Sequence, residues 1–195
     1  MTPLVLASGS VIRRQILEGA GVPFQVQTSG VDEDAIKAAS LNLGPSALAV
    51  QLAEAKARAV TVPENGLVLG ADQILSLEGS LYDKARSREE ARERLSRLRG
   101  RTHILHSGLA AVRNGKTIWT HSQDSYLTVR DFSDAFLDQY MEIAGGELTA
   151  SVGAYAFEGL GAQIFEKIEG DYYAILGLPL LPVLSLLRRE GVIMA

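Results

Sequence analysis

The sequence predicts a mixed α/β fold, and three observations carry that expectation. Two short apolar runs, Leu4–Ala7 (LVLA) and Gly66–Ala71 (GLVLGA), are bounded by small polar residues, as buried central strands are. Thr102–Val112 and Lys116–Thr128 are longer and alternate around Asn114-Gly115, the dipeptide that best fits a two-residue hairpin. Between the strands lie segments of helical period, among them a charged stretch, Ser87–Leu98, and an apolar one, Leu180–Arg189. Strands and helices are interleaved, with no internal repeat and no linker, so both halves of the chain are expected to contribute to one central mixed sheet.

The remaining elements follow in order. Ser10 is placed to cap a helix over Val11–Ala20, which Gly21-Val22-Pro23 ends. Phe24–Thr28 alternates as a strand, and Val31–Lys37 begins with a run of acids. Pro45 suits the first turn of a helix over Ala47–Val60. Gly70-Ala71-Asp72-Gln73 is placed at the C-terminal end of the second apolar strand, with Ile74–Leu77 continuing it or pairing nearby. Ser87 and Glu90 form a capping box, and Ser133 opens an amphipathic helix to Ala144.

Composition excludes several classes of function. The 195 residues are enough for one domain or two small lobes, read here as a single domain over residues 1–195. A net charge of −4 argues against a general nucleic-acid surface but leaves room for a local cationic pocket. The absence of cysteine removes disulfides, thiolate nucleophiles and cysteine-bound zinc, and fits a cytoplasmic location. Met1–Ser10 lacks the positive start of a signal peptide. The longest apolar tract, Ala174–Leu187, falls short of the ~20 residues a membrane span requires and is broken by Pro179 and Pro182. It reads as a buried helix, and its apolar character would suit a homodimer.

Candidate chemistry gathers in three distant segments. The first is Leu6–Arg14, where a strand ends in Ala7-Ser8-Gly9-Ser10 at the start of a helix. Free amides, the hydroxyls of Ser8 and Ser10 and the helix dipole favour an anion there, and Arg13 or Arg14 can add a phosphate contact. The plainer reading is an ordinary strand–helix joint with surface arginines; no Walker-type phosphate loop is present. The second is Asp72, a carboxylate suited to a hard divalent cation or, alternatively, a turn residue. Lys56 and Lys84 are compact charges for phosphates, or simply solvated.

The third segment, Ser151–Pro179, holds glycines at 153, 159, 161, 170 and 177 among the acids Glu158, Glu166, Glu169 and Asp171. That density points to close backbone approach or to turns with positive φ. Glu158 could accept N–H bonds from a nucleobase edge or tie down its own loop. His103 and His106, read as sharing one strand face, are too few with His121 to suggest a metal cluster.

Together these segments resemble one family, the Maf (septum-formation) proteins, which are nucleoside triphosphate pyrophosphatases. The family's Leu-Ala-Ser-x-Ser-Pro-Arg-Arg is similar to Leu6–Arg13, its Gly-Ala-Asp-Thr to Gly70–Gln73 and its Gly-Lys-Pro to Asp83-Lys84-Ala85. Its Ala-Gly-Ala-Tyr-Ala-Ile-Gln-Gly resembles Val152–Gly159, and Ile168–Tyr173 and Gly177–Pro179 also match, so nearly the whole chain is covered in the right order.

The resemblance implies an α/β fold of two lobes around a central mixed sheet with a cleft between them, as in the Maf and inosine-triphosphatase-like proteins. It implies a divalent metal, Mg²⁺ or Mn²⁺, and hydrolysis of nucleoside triphosphates to monophosphate and pyrophosphate in the house-cleaning of nucleotide pools. Asp72 would be the catalytic carboxylate, described as the proton acceptor and shared with the metal. Ser8, Arg13, Lys56 and Lys84 match phosphate-holding positions, and Glu33 one that serves metal or water.

Two family positions, Pro and Arg, are replaced by Val11 and Ile12, which removes one phosphate-binding arginine. Gln73 and Glu158 resemble the branch acting on 7-methyl-GTP, whereas Gly170-Asp171-Tyr172-Tyr173 resembles the branch acting on dTTP and UTP. The competing expectation is a nucleotide-binding regulator of cell division with little catalysis, which would bind nucleotide and release no pyrophosphate.

Overall fold

Seven strands pair in one mixed sheet in the structure, a computed structural model describing residues 2–62 and 64–194. They are β1 (Leu4–Ala7), β2 (Gln25–Val26), β3 (Leu67–Leu77), β4 (Ser80–Tyr82), β5 (Thr102–Arg113), β6 (Lys116–Val129) and β7 (Phe165–Glu169). Pairing runs β2-β1-β3-β5-β6-β7, with β4 added to β3. β1 is parallel to both β2 and β3, whereas β3–β4 and β6–β7 are antiparallel. The mixed α/β class is the one the sequence predicts. The chain divides into two compact units, the first made of Met1–Gln73, Ser107–Gln123 and Asp171–Ala195, the second of Ile74–His106 and Asp124–Gly170.

In the first unit the parallel register Leu4↔Leu67 to Ala7↔Gly70 puts alternate residues on opposite faces. Leu4, Leu6, Leu67, Leu69 and Ala71 pack with helix α1 (Val11–Gly19) and the closing helix α8 (Leu180–Arg189). Val5, Ala7 and Val68 pack instead with Ala57 of helix α3 (Pro45–Arg58). Both faces of the strands are thus dry, which explains why their sequences read as continuous apolar runs. α8 buries Leu180, Val183, Leu186 and Leu187 at helical spacing, each such side chain contributing roughly 2 kcal/mol of apolar burial.

α3 approaches the sheet closely because small residues face each other. Ala49, Ala53 and Ala57 are fully buried along one side of the helix. A Cβ at Gly70 would overlap the Ala53 carbonyl, and one at Gly108 would overlap the backbone at Ala49 and Val50. Glycine is therefore required at both sites by space rather than by φ.

The second unit is built on helices α4 (Arg88–Leu98) and α5 (Asp134–Ala144), with a short α6 (Glu147–Ala150). Ser87 and Ser133 cap α4 and α5 by accepting bonds from Glu90 N and Phe136 N, each such cap being worth about 1 kcal/mol. Buried Arg94 of α4 donates to the carbonyls of Asp83 and Val152 and pairs with Glu90, tying three segments together.

Several details depart from the sequence reading. Ile74–Leu77 continues β3, one of the two readings given for it, so Gly70–Gln73 lies mid-strand and not at a strand end. Acidic Val31–Lys37 contains a helix, α2 (Glu33–Ala39), capped by Asp32. The glycine-rich stretch holds a 3-10 turn (Leu160–Ile164), strand β7 and the one-turn helix α7 (Tyr172–Ile175). His103 and His106 do not share surroundings, since an odd separation in a strand places side chains on opposite faces. His103 Nε2 lies 2.7 Å from the Tyr155 hydroxyl, whereas His106 bridges Ser76 Oγ and Asp124 Oδ1 at 2.8 Å each.

Burial pulls His103 down to a pKa of about 3, so it stays neutral in the folded protein, whereas it titrates near ~6.5 when unfolded. Between those values the unfolded chain binds the extra proton, so stability falls as pH drops through that window and is unaffected above it. His103 should cost the wild type about 2 kcal/mol between pH 6.5 and 5. Urea unfolding at pH 7.5 and 5 should show His103→Gln losing less stability than wild type by that amount. Equal losses would contradict the assignment.

Candidate functional site

The first unit gathers most of the residues the sequence singles out. β1 ends at Ala7, and Ser8-Gly9-Ser10 leads into α1, where Ser10 Oγ accepts from Arg13 N and closes the first turn. Ser8 Oγ accepts from Ser10 N at 3.3 Å and from Arg13 Nη1 at 3.1 Å. The Arg13 guanidinium reaches further, donating from Nη1 to Ala71 O at 2.9 Å and from Nε to Gly177 O at 2.8 Å. Burial pulls its pKa below the usual guanidinium value, and the nearby carboxylates of Asp72 and Glu33 oppose that shift. Arg13 thus braces the loop, β3 and the turn after α7, and Nη2 is the nitrogen it has left for a ligand among the described residues. Arg14 points elsewhere and pairs with Glu18 at 3.7 Å on the exposed side of α1.

The second group forms where α3 meets β3. Asp72 lies two residues beyond Gly70 on β3, so period two turns both toward α3. The close approach at Gly70 brings Lys56, between Ala53 and Ala57, to Asp72: Lys56 Nζ lies 2.5 Å from Asp72 Oδ1. The same ammonium lies 2.8 Å from Oε1 of Glu33, the first residue of α2. Asp72 is only 7% exposed. Burial raises its pKa above the ordinary carboxylate range, with Lys56 and Arg13 pulling it back and Glu33 adding to the rise.

Two carboxylates converging on one small cation are an oxygen donor set for a hard metal. Mg²⁺ in particular is commonly held by one or two carboxylates together with substrate phosphates. Lys56 marks where positive charge is already favoured, so Glu33 and Asp72 fit the divalent ion that the sequence leads one to expect.

Gln73 points to the other side of β3. Its Nε2 donates to Ser107 Oγ at 3.2 Å and to the carbonyls of Ala174 and Ile175 at 2.9 and 3.2 Å. Its amide nitrogen therefore holds protein backbone. Lys84 and Glu158 belong to the second unit, and both are exposed. Lys84 lines a polar pocket of about 370 Å³ there with Tyr82, Arg86, Glu90, Arg94 and Arg97. Glu158 lies just before the 3-10 turn.

Sequence reasoning passed over Ser107 and the carbonyls at 174, 175 and 177. Ser107 left one trace, a small hydroxyl beside Gly108 at the head of the apolar run Leu109–Val112. The carbonyls left none, since any residue supplies one. Asp32 at the head of an acidic run was a legible start signal for α2.

A family model described as "Maf-like protein" matches residues 3–190. Among curated relatives, a "Nucleoside triphosphate pyrophosphatase" of Maricaulis maris (strain MCS10) is 57% identical over 99% of both chains. One of the same description from Caulobacter vibrioides (strain ATCC 19089 / CIP 103742 / CB 15) is 51% identical, covering 98% of this chain and 97% of the relative. A "7-methyl-GTP pyrophosphatase" of Rhizobium meliloti (strain 1021) is 44% identical over 97% of each.

The charge arrangement predicts opposite effects for two substitutions. Because Asp72 holds its proton more tightly folded than unfolded, ionising it costs stability as pH rises above the ordinary carboxylate range. Asp72→Asn should therefore leave Tm at pH 7.5 unchanged or higher. Lys56→Met strips the countercharge from a buried carboxylate and should cost about 3 kcal/mol. Calorimetry of both variants and the double mutant checks this; the double mutant should recover most of the loss.

Proposed function

The chain belongs to the Maf-like protein family, and from that membership we propose that it hydrolyses nucleoside triphosphates to the monophosphate and pyrophosphate. The observation that carries the reading is Lys56 bridging Glu33 and Asp72 at 2.8 and 2.5 Å, in the same unit as the Ser8–Arg13 loop. A site built of small residues, backbone amides and cations suits phosphates, and paired carboxylates suit the metal that accompanies them.

In this mechanism the loop of Ser8, Gly9 and Ser10, with the free Nη2 of Arg13, receives phosphate oxygens. A water attacks the α-phosphorus, forming a new P–O bond. The bond from that phosphorus to the α–β bridging oxygen breaks, and pyrophosphate leaves with the electron pair. Asp72 orients the water and takes its proton, a role its raised affinity for protons favours. Lys56, beside Asp72, offsets the anion that develops on the phosphates. Glu33 and Asp72 would hold Mg²⁺ or Mn²⁺, which when bound neutralises phosphate charge. Positioning and charge neutralisation supply most of the acceleration in such a site.

Lys84 is proposed as a further phosphate ligand and Glu158 as a reader of the base, where its anionic carboxylate suits the cationic ring of 7-methylguanine. House-cleaning of nucleotide pools is the proposed purpose.

The decisive experiment is pyrophosphate release with Mg²⁺ or Mn²⁺ from dTTP, UTP, CTP, GTP and 7-methyl-GTP. Strong turnover of one or two of them is expected, with 7-methyl-GTP preferred and Glu158→Gln shifting that preference toward neutral bases. Asp72→Asn should abolish turnover, by a factor of roughly 10² or more, while nucleotide still binds. Absence of release from every substrate by a protein that binds them would overturn the reading in favour of a regulator.

A further inference from the structure

We infer that Ser107 is a positioning residue for the reaction: through Gln73 and the turn after α7 it holds the 71–73 stretch of β3, and with it Asp72, in place. The inference rests on the assignment of Asp72 as the catalytic carboxylate.

Ser107 is 1% exposed, and nothing in the mechanism above uses it. Its hydroxyl donates to Ala174 O at 2.8 Å and accepts from Gln73 Nε2 at 3.2 Å. Gln73 also reaches Ala174 O and Ile175 O, the last two carbonyls of α7, the first of which also accepts from Gly177 N at 2.9 Å. On the far side of Asp72, Ala71 O accepts from Arg13 Nη1, and Arg13 Nε donates to Gly177 O. The residues before and after Asp72 are therefore tied to the same turn, 174–177, by two independent arms. The circuit closes: Arg13 to Ala71, along β3 to Gln73, across to Ala174 and Ile175, along the turn to Gly177, and back to Arg13.

Gly177 lets the turn fit. Its φ of +89° is one that side chains rarely adopt, and a Cβ there would stand 3.3 Å from Arg13 Nη2 and 3.7 Å from the Gln73 side chain. Both arms thus converge on one residue. A primary amide has two hydrogens, and Gln73 Nε2 faces three acceptors. Ser107 orders that shared contact: by giving its own hydrogen to Ala174 O, it turns a lone pair toward the amide and fixes the Gln73 rotamer. Losing the hydroxyl cuts the Gln73 amide from β5 and leaves it on the carbonyls of the turn alone. The Gln73 side of Asp72 would then be anchored only through the turn, without the neighbouring strand.

A misplacement of this kind acts on the chemical step, because Asp72 touches the attacking water rather than the groups that hold the nucleotide. The test is steady-state kinetics of Ser107→Ala and Ser107→Thr with the wild type's preferred nucleotide, alongside thermal unfolding. Ser107→Ala is expected to lower kcat roughly ten- to hundred-fold with KM within about twofold, and Ser107→Thr, which keeps the hydroxyl, to restore most of it. If the alanine variant does not fold, Ser107→Thr and Ser107→Val, alike in shape, carry the same comparison. A folded alanine or valine variant with kcat within twofold of wild type overturns the inference, as does a rise in KM at unchanged kcat. An inactive wild type would instead overturn the pyrophosphatase reading itself.

Discussion

The contact on which the rest of the site depends is the close seating of α3 on the sheet. Three fully buried alanines, 49, 53 and 57, lie against Gly108 and Gly70, where any Cβ would strike backbone. Helix and strands approach until main chain meets main chain, and interiors packed at such density leave little freedom to slide. That rigidity has a chemical consequence, because Lys56 sits between Ala53 and Ala57 and Asp72 follows Gly70 by two. A contact that is purely steric thereby sets an ion pair at 2.5 Å.

The ion pair would be expensive on its own. Burying a carboxylate costs free energy unless charge and hydrogen bonds compensate, and the raised pKa of Asp72 says that the compensation is incomplete. Asp72 lies beside a lysine it shares with Glu33. Such a group suits the proton-accepting role proposed for Asp72. The surrounding hydrogen bonds from Arg13, Gln73 and Ser107 do not touch the carboxylate. They fix the backbone on either side of it.

Arg13 illustrates how a motif residue can serve two ends. In the sequence it reads as a phosphate ligand at a helix start. In the structure its side chain holds Ser8, Ala71 and Gly177 through three hydrogen bonds, so the loop that would receive the phosphate and the strand that carries Asp72 share one brace. Gln73, which reads as a marker of base preference, likewise spends its amide nitrogen on Ser107 and α7.

Local pattern and motif spacing were enough to reveal much of this chain. The strand runs LVLA and GLVLGA, the hairpin at Asn114-Gly115, the serine caps and the family motifs were all legible, because each depends on a few adjacent residues. The α2 helix had a readable start at Asp32, whereas α7 and β7 were hidden by glycines and acids that carry no clear period. Of the two readings open for Ile74–Leu77, tertiary pairing selected continuation of β3 through Asp72, since sheet pairing rather than propensity sets where a strand ends. It also decided which partners Arg13, Gln73 and Ser107 take. Several of those partners are backbone carbonyls, up to 164 residues away, and a carbonyl has no identity that a sequence can display.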